Sequence, residues 1–358
     1  MKRLWIASIL MLLVAFAGII FGQRGAATPA APGSTTARAV TAANAFLAML
    51  DAGERAKTAF PFDSPQKTNW SNLPSGIYQR NSMRLGDLTA PKRAAALASL
   101  AAVLSNDGYR KVTDIMNGDE VLRGTGGGAT GGRAGAGGGR GGGRGGGLAF
   151  GADEYYIAFL GTPSTATPWM LQFGGHHLAI NVTIVGAINV ITPSLPAAQP
   201  AKYTLNGQTI RPLGKENDKS FALMATLNAE QRKQAILGYR VSDLVLGPGE
   251  DGKTIQPEGI PASSLTASQQ TMLWDIAHEW VGILNDEGAA ARMAEIRNNV
   301  SRTNFAWSGA TENGGIAYFR IQGPTVLIEY APQQGDLDHI HTIYRDPTND
   351  YGARLVAP

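Results

Sequence analysis

The stretch NFAWSGATENGGIAYFRIQGPTVLIEYAPQQGDLDHIHTIYR, residues 304–345, decides the fold. Short β-branched and aromatic runs separated by turn residues predict four strands here: Asn304–Trp307, Ile316–Gln322, Val326–Tyr330 and His339–Arg345. Upstream, a second block of strand signals comprises Tyr155–Leu160, Trp169–Phe173, His176–Val185 and Ala187–Thr192, the last two joined as a hairpin through Gly186. Helical signals fill the space between the blocks. One runs over Asn228–Leu237 with Asn228 as N-cap, one from Thr266 or Ser268 to Asn285, and one from Ala289 to Val300. Toward the N-terminus, Ala43, Phe46, Leu47 and Leu50 recur at helical spacing within 34–60, Pro91 opens a second helix, and Lys111–Leu122 forms a third. Residues 61–88 read as loop. Helices and strands that come in blocks, not in alternation, place the chain in the α+β class: a helical N-terminal part followed by a mostly antiparallel sheet with flanking helices.

The composition suits a buried core, with 358 residues, 44% hydrophobic and 16% charged. Cysteine is absent. That excludes disulfides, cysteine-held zinc, iron–sulfur clusters and thiol nucleophiles together. Any metal must be held by histidine, carboxylate, amide or backbone oxygen, and there are five histidines. The formal charge of +3 is a local excess. Lys2, Arg3, Arg24, Arg133, Arg140 and Arg144 account for six of the 31 basic residues, which leaves 25 against 28 acidic ones. A nucleic-acid partner needs positive charge on the folded surface, so none is expected.

Met1-Lys2-Arg3 followed by the apolar run from Leu4 to Phe21 has the pattern of an export signal. Residues 1–33 are thus expected to be a signal peptide plus linker; an uncleaved N-terminal anchor is the alternative and the sole membrane link. The body should then be extracytoplasmic, either periplasmic or secreted. Residues 34–358 are expected to form one domain, interrupted at 124–147 by a Gly/Arg-rich insertion that cannot repay its backbone entropy and should be disordered. That tract has no lysine for a phosphate-binding loop and no aromatic residues interleaved for RNA.

Four of the five histidines fall in two short motifs, Gly174-Gly175-His176-His177-Leu178-Ala179-Ile180-Asn181 and Asp336-Leu337-Asp338-His339-Ile340-His341. On a strand, His339 and His341 project from one face, which suits two ligands to one metal. If their segment is extended, His176 and His177 point opposite ways. His177 then shares the face of Ala179, Asn181 and Thr183, and His176 the apolar face of Leu178, Ile180 and Val182. That company favours His177 as a ligand and makes His176 a packed, supporting or fourth group. Gly174 and Gly175 would admit a close backbone or ligand. The bland reading is a structural polar network. His278 lacks the second histidine of a His-Glu-x-x-His helix and is expected to be structural.

Arg345, Arg320 and Glu329 are charged residues inside otherwise apolar strands, and buried charges need partners. Arg345 could clamp a carboxylate or phosphate, or fix a turn through an Arg–Asp ion pair. Arg320 and Glu329 could pair across adjacent strands, or Glu329 could complete a histidine–carboxylate site. No Gly-x-Ser-x-Gly elbow supports serine catalysis.

Pro168-Trp169, the Gly175–Asn181 motif, Thr192-Pro193-Ser194, Phe305-Ala306-Trp307-Ser308-Gly309, Tyr318-Phe319-Arg320-Ile321-Gln322-Gly323-Pro324 and the run from His339 to Gly352 together resemble the DUF3500 family, from about residue 37 to the end. The family is uncharacterised, so the resemblance implies no reaction and no residue roles. From the residues themselves, the expected function is an exported protein with a mononuclear metal site. Its ligands are His177, His339 and His341, with His176 or Glu329 adjacent. Zinc, iron or copper would serve a hydrolase or oxidoreductase acting on an unnamed small-molecule or polymer substrate. The alternative is a non-catalytic binding or structural module with a buried His/Arg/Asp network.

Overall fold

The computed structural model describes residues 29–125 and 147–356. The expectations for the leader and for nearly all of the glycine tract lie outside the described residues.

Ser34 caps α1 (Thr35–Ala48), whose stripe of Ala39, Ala43, Phe46 and Leu47 is buried. A capping box of Asp51 and Glu54 starts α2 (Ala52–Thr58), which runs straight into β1 (Ala59–Phe60). A long connection, 61–82, leads to β2 (Met83–Arg84), α3 (Ala90–Val103) and α4 (Asn106–Gly124). The strands β3 (Tyr156–Leu160), β4 (Trp169–Gly175), β5 (Leu178–Val185), β6 (Ile188–Val190) and β7 (Ser194–Pro196) follow. A small hairpin, β8 (Tyr203–Leu205) and β9 (Gln208–Ile210), then leads into α5 (Gly214–Thr226) and α6 (Ala229–Ala235). After a second long connection come β10 (Ile260–Pro261), α7 (Ala267–Val281), α8 (Asp286–Arg297), β11 (Asn304–Gly309), β12 (Ala317–Gly323), β13 (Val326–Pro332), β14 (Ile340–Arg345) and α9 (Ala353–Val356).

The chain therefore runs twice through one order of elements. The Asp51/Glu54 capping box is matched by Asn228/Gln231 on α6. The parallel pairing of β1 with β3 is matched by the parallel bridge Ile236–Trp307, and the antiparallel β2–β3 pair by β10–β11. The meander β3–β4–β5 is matched by β11–β12–β13. The halves meet where Tyr344 on β14 pairs with Ser194 on β7, and again at the bridge Leu104–Leu284.

One sheet results, ordered β1-β3-β4-β5-β7-β14-β13-β12-β11-β10, antiparallel throughout this path except at β1–β3. Alternation along the strands gives it two faces. Helices cover the first, over Phe159, Trp169, Phe173, Ile180, Trp307, Phe319 and Tyr344. Each large apolar side chain buried there contributes about 1.5–3 kcal/mol. The second face carries Ala158, Met170, Ala179, Leu195 and Ile343 beneath Trp70, Leu244 and Tyr351, which come from the long connections and the C-terminal turn. It also buries polar residues, among them Gln172, Asn181, Glu329, His341 and Arg345.

The α+β arrangement agrees with expectation. Several elements were not anticipated: α5, the β8–β9 hairpin, the short strands β1, β7 and β10, the last helix α9, and β2, which lies within the stretch 61–88 read as loop. The first turns of α5 read Lys215-Glu216-Asn217-Asp218-Lys219, so its apolar residues, Phe221, Leu223 and Met224, are confined to the last turns and show no full stripe. Among the described residues no helix is long and apolar enough to cross a membrane.

Candidate metal centre

β4 and β5 pair until Gly175 faces Leu178, so His176 and His177 are the two residues of a hairpin turn. This corrects the extended reading of 176–185: the strand begins at Leu178, and the imidazoles are not opposed but lie against each other, ring centroids 3.7 Å apart. His177 adopts a left-handed φ of 60°, a conformation that costs a side-chain-bearing residue about 1 kcal/mol. Its N–H donates to the Asn72 carbonyl at 3.0 Å and its carbonyl accepts from the Ala197 N–H at 2.8 Å, which holds the turn in place. Gly174 and Gly175 do admit close neighbours: a Cβ on Gly174 would lie 2.5 Å from the Leu178 carbonyl oxygen.

Across the sheet, His339 immediately precedes β14 and His341 lies within it. Nε2 of His177 lies 2.8 Å from Nε2 of His339, which in turn lies 3.1 Å from Nε2 of His341. Ligand atoms of the three all fall within 4.8 Å of one another. A tetrahedral ion with metal–nitrogen bonds of about 2.05 Å needs its nitrogens about 3.3 Å apart, so the His177–His339 and His339–His341 separations are near those of a coordination sphere. His177 and His341 are buried and His339 is half-buried.

Behind the imidazoles, the Asp243 carboxylate takes Nδ1 of His341 at 2.8 Å, an arrangement that fixes ring orientation and turns Nε2 toward the other two histidines. The Asn72 amide nitrogen lies 3.3 Å from the same Nε2. Nδ1 of His177 is buried without a partner, so packing and its backbone bonds orient that ring. Burial, then the neighbouring imidazoles, push the pKa of His177 well below the ordinary value and that of His339 down to about 4. Both are therefore neutral at pH 7, the form that binds metal. Burial works against the Asp243 carboxylate, but the hydrogen bond and field of His341, the Leu244 N–H and His339 together hold its pKa below normal.

Of the four histidines considered as ligands, three converge. His176 instead gives Nδ1 to Asp119 at 2.6 Å, and the other oxygen of that carboxylate accepts from the Gly151 N–H. Glu329 accepts from the backbone N–H groups of Val245 and Leu246 at 3.0 and 2.8 Å and from the Tyr318 hydroxyl at 2.6 Å. It thereby anchors the connection that carries Asp243. Arg320 faces Glu329 in register, yet its ion pair is with Glu258 at 2.9 Å. Arg345 binds Asp251 and Asp350 at 2.8 and 3.0 Å and donates to the carbonyls of Leu246 and Gly247, an Arg–Asp pairing that ties loop to turn. His278 is exposed on α7. Asn72, Asp119 and Asp243 escaped the sequence reading because each is an isolated polar residue, in a loop or a helix, without local pattern.

The pattern of a family described as a protein of unknown function, DUF3500, matches residues 32–353. The chain belongs to the DUF3500 family. No curated protein and no solved structure matches it. In this DUF3500 chain the histidine motifs and the Arg345 turn all lie inside the matched span, while the first 31 residues lie outside it.

Proposed function

We propose that this DUF3500 protein is an exported, metal-dependent hydrolase whose single ion is held by His177, His339 and His341. The observation that carries the reading is the convergence of three Nε2 atoms from separated segments, two of them neutral at pH 7, with the Asp243 carboxylate behind one ring. Three histidine ligands leave a fourth position open, the pattern of zinc sites that hydrolyse. A bound ion of that type lowers the pKa of a water and polarises a substrate oxygen. The chain's own groups supply the rest. Asp243 keeps a proton on Nδ1 of His341, so its Nε2 lone pair points inward. Asn72 stands beside that Nε2 and can donate an amide hydrogen to a substrate oxygen. Export rests on the leader motif, which would deliver the site outside the cytoplasm.

Elemental analysis of untagged protein tests the reading. About one zinc per chain is expected, lost in the His341→Ala variant with its circular dichroism unchanged, together with chelator-sensitive cleavage of p-nitrophenyl esters or phosphodiesters. Stoichiometric iron or copper would replace hydrolysis with redox chemistry. No metal, even after reconstitution, would leave a non-catalytic histidine network.

A further inference from the structure

Arg80 lies in the long connection 61–82, eight residues after Asn72. Its Nη2 donates to the carbonyls of Ser71, Leu73 and Gly175 at 2.7, 2.8 and 2.8 Å. Two of those carbonyls belong to the residues on either side of Asn72, and the third to the residue just before the His176–His177 turn. The guanidinium carbon also stands 5.3 and 5.7 Å from the ring centroids of Tyr78 and Tyr156. No carboxylate among the described residues forms an ion pair with Arg80, and its Nη1 is buried without a hydrogen-bond partner.

A cation held away from water without a counter-charge is expensive, and an apolar side chain would fill the same space at less cost. What an apolar side chain cannot do is gather three carbonyl oxygens. Drawn to one point they repel each other unless a positive donor stands between them. The two segments that Arg80 joins meet a second time, where the His177 N–H donates to the Asn72 carbonyl at 3.0 Å. Asn72 is therefore fixed to the histidine turn by its own carbonyl and by those of both neighbours. Its amide nitrogen reaches across to Nε2 of His341 at 3.3 Å. Nδ1 of His177 has no hydrogen bond to orient its ring, so the placement of its backbone matters the more. We propose that Arg80 is a positioning residue of the site, which fixes His177 and the Asn72 amide relative to each other by acting on backbone carbonyls alone. Its effect on turnover rests on the metal-hydrolase reading; its effect on the turn does not.

The test compares Arg80→Met and Arg80→Lys with the wild type by amide hydrogen exchange of metal-free protein, zinc competition and p-nitrophenyl ester kinetics. In Arg80→Met the His177 amide should exchange about tenfold faster or more, with the amides of β5 and β14 unchanged. Zinc should bind about tenfold more weakly. kcat should fall about tenfold while KM stays within about twofold, as expected when an amide that serves the transition state is displaced. Arg80→Lys keeps one nitrogen with three donors and should recover most of each loss. The proposal is overturned if the His177 amide exchanges as in wild type, if the strand amides accelerate with it, or if zinc affinity and kcat both stay at wild-type values. It is equally overturned if lysine does no better than methionine, or if neither variant folds. A wild type that takes up no zinc removes the metal reading alone, because the exchange comparison still decides what Arg80 holds.

Discussion

Nε2 of His177 and Nε2 of His339 stand 2.8 Å apart, although 162 positions separate the two residues. A hairpin turn in the first half of the repeat and a strand entry in the second meet because β7 and β14 pair at the centre of the sheet.

Asp243 hydrogen-bonds Nδ1 of His341 and stands behind that ring. Asp243→Ala should therefore keep the fold but weaken zinc by about 10–100-fold, the usual effect of losing a carboxylate behind a metal-bound histidine. Competition with a chromogenic chelator measures it. Unchanged affinity would remove the carboxylate from the site.

The left-handed turn separates a structural cost from a ligand role at His177. His177→Gly and His177→Ala should both lose metal, but the glycine variant should be about 1 kcal/mol more stable, since glycine adopts φ of 60° without strain. Urea unfolding of the two metal-free variants gives the comparison.

Acid should loosen the metal-free protein. His339 titrates near 4 when folded, against 6.5 for the ordinary side chain, so the unfolded chain binds more protons between those values. The stability contributed by the neutral ring is present above pH 6.5 and is lost as pH falls toward 4. For a half-buried ring this amounts to about 1–2 kcal/mol after solvent screening. Tm of chelator-treated protein should fall over that window, and His339→Gln should flatten its share of the fall.

Glu329 is fully buried and holds two backbone N–H groups beyond Asp243. Glu329→Gln should destabilise the fold by about 2 kcal/mol, because an amide cannot accept on both arms, and should also weaken metal by loosening the Asp243 connection. Denaturation and zinc competition on the one variant should move together.

Where the halves join, Gly108 packs on the backbone of the other repeat: a Cβ there would lie 2.2 Å from the Ile283 carbonyl oxygen. Backbone cannot yield as a side chain can, so Gly108→Ala should cost about 3 kcal/mol or more, visible as a Tm loss of about 5 degrees or more.

Residue order alone determined the strands of 304–345, because alternation and turn residues are local signals, and the helix from Thr266, because its cap is local too. It also singled out His339 and His341, whose two-residue spacing puts them on one side once the segment is extended. The repeat went unseen, since its halves share element order and capping chemistry but few side chains, as in the Asp51/Glu54 and Asn228/Gln231 boxes. The relation of His176 to His177 was beyond reach as well. A dipeptide between glycines and a strand is extended or a turn according to where the neighbouring strand pairs, and that register is set by contacts remote in sequence. Asn72 and Asp243 belong to the same class. Nothing beside them in the chain marks them, and only the packing of two long connections over one sheet face brings an amide and a carboxylate to either side of the His341 ring.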